Sequence, residues 1–149
     1  MNRKTFIKEY TRFITLAMKL AAKAKKQGIA SLEEEIEDID DELFKQGLRF
    51  IVDGTEPRLI DEILTNRISH EKDKNMSILK TVQKRAVLGI QAGEPLLIFY
   101  HVLLSLPGLT QKEEKQIEKL VLLRDEIDEE ALEDDRQFLK GLKNRIRSE

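Results

Sequence analysis

Two histidines, His70 and His101, are the only imidazole side chains in the chain, and cysteine is absent. Without cysteine there is no disulfide framework, no thiolate metal site and no cysteine nucleophile. His70 stands next to Glu71 and two residues before Asp73, which are ligand types for a divalent ion. A metal site needs three or four such groups converging on one point, and a solvated helix surface explains the cluster more simply. His101 lies inside an apolar run, so it is expected in the core or at an interface. No GxGxxG and no P-loop pattern occurs, so phosphate cradling has no support, and no serine sits in a nucleophile elbow. Carboxylates are abundant, but acid–base work requires a cleft that pushes the pKa values of two of them apart. The residues therefore predict no catalytic group, no cofactor and no metal.

The elements that would carry such residues are helices. Of 149 residues, 36% are charged and 5% aromatic, with only three prolines and seven glycines. This composition favours long helices over sheets, and the expected fold is all-α, a bundle of long and short helices without a sheet. The formal net charge of -2 argues against a general nucleic-acid binder. No stretch approaches the roughly 18 apolar residues that span a bilayer. The early basic residues are not followed by a clean apolar run, because Arg12, Lys19 and Lys23 interrupt it. A cytoplasmic protein is expected.

Phe6, Tyr10, Phe13, Ala17, Leu20 and Ala24 step by threes and fours along one helix that Gly28 ends. Ser31 reads as the next N-cap, with Glu34 as its capping-box partner. An acidic stretch, Glu33 to Glu42, leads into a short helix with Leu43, Phe44, Leu48, Ile51 and Val52 on its apolar face. Thr55 reads as a cap and Pro57 as a first-turn residue of the next helix, whose stripe is Leu59, Ile60, Ile63, Leu64 and Ile68. The polar run 69–75 leaves open whether residues 56–92 form one helix or two. Gly93 and Pro95 mark a turn. Thr110 and Glu113 form a second capping box, opening a long helix through Ile117, Leu120, Val121, Ile127, Leu132, Leu139, Leu142 and Ile146.

Two features go beyond a solvated bundle. The first helix is basic, ending in Lys25 and Lys26, and the segment directly after it is acidic, with Glu33, Glu34 and Glu37. Such an abrupt reversal can steer a charged partner, and the basic helix could also lie on an anionic membrane surface. The run Leu96 to Leu104 is apolar all round and must be buried on nearly every side. Leu96, Leu97, Phe99, Tyr100, Leu103 and Leu104 are expected in the core or in an oligomer interface.

The segment Lys25-Lys26-Gln27-Gly28-Ile29-Ala30-Ser31-Leu32-Glu33 resembles the stretch after the second membrane helix of the MotA flagellar stator family, a MotA/TolQ/ExbB-like group. The resemblance continues from Phe44 through Val52-Asp53-Gly54-Thr55-Glu56-Pro57 to Ile60 and Leu64, and His70 falls where the family often has a histidine. It resumes at Ala86-Val87-Leu88-Gly89-Ile90-Gln91-Ala92-Gly93-Glu94-Pro95, which is similar to the segment after the fourth membrane helix. The matching segments are cytoplasmic; between them, where the family has two membrane helices, this chain has little more than 73–77. The resemblance implies a non-enzymatic protein that conducts no ions and acts by docking onto flagellar motor proteins, either stator subunits or the rotor switch protein FliG. It would sit in the cytoplasm or at the inner face of the membrane, with self-association into a homo-oligomer. By position, Lys25 and Glu33 take the two charged stations that flank the glycine turn, although lysine lacks the planar fork of arginine. Residues 1–108 would form the MotA-like domain, and 109–149 a charged helix packing on it or on a partner. The alternative is a scaffold or adaptor of another cytoplasmic complex that keeps the stator-like fold.

Overall fold

The computed structural model describes residues 1–122 and is all-α, with no strand among them. Helix α1 runs over Arg3–Gln27, with the Asn2 side chain accepting from the Thr5 amide at 2.8 Å as its N-cap. Its apolar stripe is buried as the spacing predicts: Phe6, Tyr10, Phe13, Ile14, Ala17, Leu20, Ala21 and Ala24 all lie in the core. Two threonines share that burial. Thr11 and Thr15 turn their hydroxyls back to the carbonyls of Ile7 and Thr11, at 2.8 and 2.9 Å, which satisfies the polar atoms without a tertiary partner.

Gly28 ends α1 at φ +90°, a conformation that side chains rarely adopt. A 3₁₀ turn over Ile29–Leu32 follows, then the one-turn helix α2, Glu33–Ile36, and α3, Glu42–Val52. Here the expected cap at Ser31 is replaced. The Ser31 hydroxyl donates back to the Gly28 carbonyl at 2.6 Å, and Glu34 turns instead to Lys23. The tight turn engages the serine before a helix start can use it.

Helix α4 covers Pro57–Ile68 and α5 covers Lys74–Ala92, so the 56–92 region is two helices. The Asp73 carboxylate caps α5, accepting from the Met76 amide at 2.7 Å. Pro57 opens α4 as expected, but the cap residue is Glu56 and no side chain makes the capping bond. Thr55 is occupied elsewhere: its amide donates to the Phe50 carbonyl at 2.9 Å, and its carbonyl accepts from Gln91 at 2.8 Å. The α4 stripe is narrower than its spacing suggests. Ile60 and Leu64 are buried against α3 and α5, while Leu59 is exposed.

Gly93, in the left-handed region at φ +66°, turns α5 into α6, Leu96–Ser105. The six apolar residues Leu96, Leu97, Phe99, Tyr100, Leu103 and Leu104 are buried in this chain's own core. Ile98, His101, Val102 and Ser105 share the opposite face by the helical repeat; Ile98 and Val102 are half-buried, and His101 and Ser105 are exposed. His101 is therefore a surface residue lying against the edge of the Tyr100 ring, not a core histidine. Tyr10 ties α1 to α6 by donating its hydroxyl to the Leu103 carbonyl, and burial pushes its pKa up, so it remains a donor.

Helix α7, Gln111–Leu122, opens with the expected capping box. The Thr110 amide donates to Glu113 at 2.9 Å, and the Glu113 amide donates to the Thr110 hydroxyl at 3.1 Å. Ile117 and Val121 enter the same core, while Leu120 is 49% exposed. The later residues assigned to this helix, Ile127, Leu132, Leu139, Leu142 and Ile146, lie outside the described residues.

Glu113 also takes a two-bond clasp from Arg3, at 2.7 and 3.0 Å, which fastens α7 to the start of α1. Arg3 and the Thr110 amide hold the Glu113 carboxyl at a pKa of about 2. An unfolded glutamate titrates near 4.3. Because the folded value is the lower, the stabilisation is fully present above that pH and is lost as the pH falls through about 2. Urea midpoints should thus fall between pH 5 and pH 2, and the fall should be shallower in Arg3→Ala. Equal slopes in both proteins would show that the clasp does not hold in solution.

Candidate functional site

The charge reversal after α1 is built around the Gly28 turn. Because α1 stops there and the 3₁₀ turn packs back against it, the start of α2 comes within reach of the Lys23 side chain of α1. The three glutamates of the first turn of α2 sit where the helix N-terminus favours negative charge. Across the turn two of them, Glu34 and Glu35, meet Lys23. Its ammonium donates to Glu34 and, at 2.9 Å, to Glu35. These bonds raise the Lys23 pKa, and the bond from Lys23 lowers that of Glu35.

The residues singled out from the sequence take separate parts in this surface. Lys25 does not pair with Glu33. Its ammonium reaches the carbonyls of Gly93 and Glu94, at 3.3 and 3.5 Å, and so joins the end of α1 to the α5–α6 turn. Lys26 and Glu33 are exposed. Glu34 pairs with Lys23, and Glu37 accepts from Arg49 of α3 at 2.7 Å. Leu96, Leu97, Phe99, Tyr100, Leu103 and Leu104 are buried within the chain.

Sequence reasoning missed three groups. Lys23 and Glu35 lie 12 positions apart across the turn and are the inner pair of the reversal. Arg12 holds the 37–41 segment onto α1 through Asp41 at 3.1 Å, while also taking Glu9. Arg85 grips Glu94 with two bonds, at 2.9 and 2.6 Å, and fixes the α5–α6 turn that Lys25 touches. A sequence signal existed for the first pair, since a basic helix end and an acidic helix start joined by a tight turn must face each other.

A second polar region surrounds His70. A cleft of about 640 Å³ is lined by Asp41, Glu42, Arg67, His70 and Lys80, among others. Glu71 is bound by Lys80 at 2.7 Å, and Asp73 by the chain's amino terminus at 2.9 Å. Both carboxyls are held below their ordinary pKa values by these hydrogen bonds. Among the described residues no group of three metal-ligating side chains converges. Every described carboxyl with a displaced pKa (Glu35, Asp61, Glu71, Asp73 and Glu113) is displaced downward by a cationic partner. None of these five is poised as a general acid at neutral pH.

The chain is similar to motility proteins over part of its length. It is 36% identical over 69 residues to Motility protein A of Treponema phagedenis, which is 46% of this chain and 27% of that protein. It is 36% identical over 62 residues to Motility protein A of Borreliella burgdorferi, covering 42% and 24%. Against Motility protein A of Bacillus subtilis the identity is 32% over 76 residues, covering 51% and 27%. The chain is thus MotA-like, and spans about a quarter of the length of these curated relatives. No family model matches it, and no solved structure gives a significant match. No helix among the described residues is long and apolar enough to cross a membrane.

Proposed function

We propose that this chain is a non-enzymatic, MotA-like accessory component of the flagellar motor, which docks onto stator subunits or the rotor switch protein FliG at the inner face of the membrane. The observation that carries this reading is the 32–36% identity to Motility protein A in relatives as distant as spirochaetes and Bacillus subtilis. The docking surface is the charged turn, with Lys25 and Lys26 on one side of Gly28 and Glu33, Glu34 and Glu37 on the other. Its support is physical. The turn is held by the Lys23 and Arg12 pairs, and Lys25 ties its basic side to the α5–α6 turn, so the exposed Glu33 and Glu37 are presented on a fixed frame. Fixed charges of both signs favour one orientation of a charged partner over others.

The test is affinity capture of the tagged full chain from flagellated cells. Stator subunits or FliG should co-purify with the natural chain and be lost from Glu33→Lys/Glu37→Lys. Glu33 is exposed and Glu37 joins only a surface pair, so the variant should fold normally. Capture of a different defined complex, with motor proteins absent, would replace this reading by the scaffold one.

A further inference from the structure

Three segments line the cleft beside His70. Residues 40–43 and Gln46 belong to the start of α3 and the approach to it, Arg67 to the last turn of α4 with His70 just after it, and Met76, Lys80 and Gln83 to α5. The volume, about 640 Å³, is that of a small-molecule site. Gln83 is the residue that points to a ligand. It is only 3% exposed, yet it lines the cleft, and its carboxamide has no hydrogen-bond partner among the described residues. A buried polar group left without a partner costs stability. Gln46, half-buried on α3, lines the same cleft and is also unbonded. A carboxamide offers a donor and an acceptor together, which is the pattern that pairs with a peptide group.

The charges of the cleft sort by helix. Asp41 is engaged by Arg12 at 3.1 Å, and Lys80 by Glu71 at 2.7 Å. This leaves Asp40 and Glu42 beside α3, and Arg67 and His70 at the end of α4, all four exposed. Among the described residues no ion pair joins these acids to these bases. Opposite charges that line one cleft without touching leave room for a molecule that carries both. Leu43 and Met76 supply an apolar contact between them. No three metal-ligating side chains converge among the described residues, so the acids do not form a metal site.

We propose that this cleft binds a short peptide of dipeptide size with free termini. Its ammonium group lies against Asp40 and Glu42, its carboxylate against Arg67 with His70 beside it, and its peptide group against Gln46 and Gln83. The proposal does not depend on what the charged turn binds.

Alanyl-alanine is a sufficient probe, because the assigned contacts are to the termini and the peptide group. Added to the isotope-labelled full chain, it should shift the side-chain amide resonances of Gln46 and Gln83 in a saturable manner. N-acetylation of the dipeptide removes its ammonium group and C-terminal amidation its carboxylate; each should weaken binding about tenfold, the scale of a lost hydrogen bond to a charged group. Glu42→Gln should weaken binding of the free dipeptide but not of the acetylated one, and Arg67→Gln that of the free dipeptide but not of the amidated one. Gln83→Met keeps the length and helix propensity of the side chain without its polar atoms. It should raise the urea midpoint while abolishing the shift at Gln46. The absence of a saturable shift would overturn the proposal, as would equal affinity for the free and capped dipeptides. A lowered midpoint in Gln83→Met would assign that residue to the fold alone and overturn it as well.

Discussion

Phe44→Ala should destabilise the protein by about 3–5 kcal/mol, the usual cost of removing a fully buried phenylalanine. Phe44 is completely inaccessible and meets Phe13 of α1 edge-on, with ring centroids 4.8 Å apart and planes at 88°. That geometry adds about 0.5–1.5 kcal/mol beyond area burial. Phe44 is also where α3, the helix beneath the Glu37–Arg49 pair, is anchored to α1. A single domain has only about 5–15 kcal/mol in total, so the variant should lose a substantial part of its stability. Its melting temperature should fall by roughly 6–20 °C, at about 2–4 °C per kcal/mol for a chain of this length. Urea unfolding followed by circular dichroism measures it. A loss below about 1 kcal/mol, the scale of changes outside a packed core, would mean that α3 does not pack on α1 as described.

The second large effect reverses a general rule. Replacing glycine by alanine inside a helix ordinarily gains about 0.5–1 kcal/mol. Gly47 in α3 and Gly89 in α5 should lose stability instead. A Cβ on Gly47 would overlap a methyl group of Val87, at the contact between α3 and α5. A Cβ on Gly89 would stand 2.7 Å from the Phe99 ring and would also press on Glu94, which Arg85 holds in place. Overpacking of this kind costs about 1–3 kcal/mol, enough to outweigh the helix gain. The cause can be isolated at Gly47, because Val87→Ala removes the obstructing methyls. Gly47→Ala/Val87→Ala should be more stable than the sum of its single variants predicts, by about 1 kcal/mol, within the range for residues in contact. Strict additivity of the four urea midpoints would contradict the close approach of α3 to α5.

Much of this architecture was legible because it depends on neighbours three or four residues apart. The stripe of α1, the Gly93–Pro95 turn and the Thr110–Glu113 box are all set by local spacing. The errors fall where a local signal had a competitor. Ser31 had the right type and spacing for a cap, but the 3₁₀ turn took its hydroxyl, and Lys23 took Glu34. Leu59 matched the α4 stripe but falls outside the arc that α3 and α5 cover. Of the two places expected for His101, core or interface, the core is excluded, because the 98–101–102–105 face of α6 leads out to solvent. At the charged turn the reversal of charge was visible in the sequence, and the ion-pair partners within it came only with the path of the turn. Lys23, not Lys25, meets the glutamates, because Lys25 reaches the α5–α6 turn 68 positions away.

The central claim is that a MotA-like chain docks onto the flagellar motor through its charged turn, and affinity capture from flagellated cells tests it most directly. The account predicts that stator subunits or FliG are recovered with the natural chain. It predicts their loss with Glu33→Lys/Glu37→Lys, while the helical content of the variant is unchanged. Equal recovery of motor proteins by both chains would contradict the assigned surface, and their absence from both would contradict the motor reading itself.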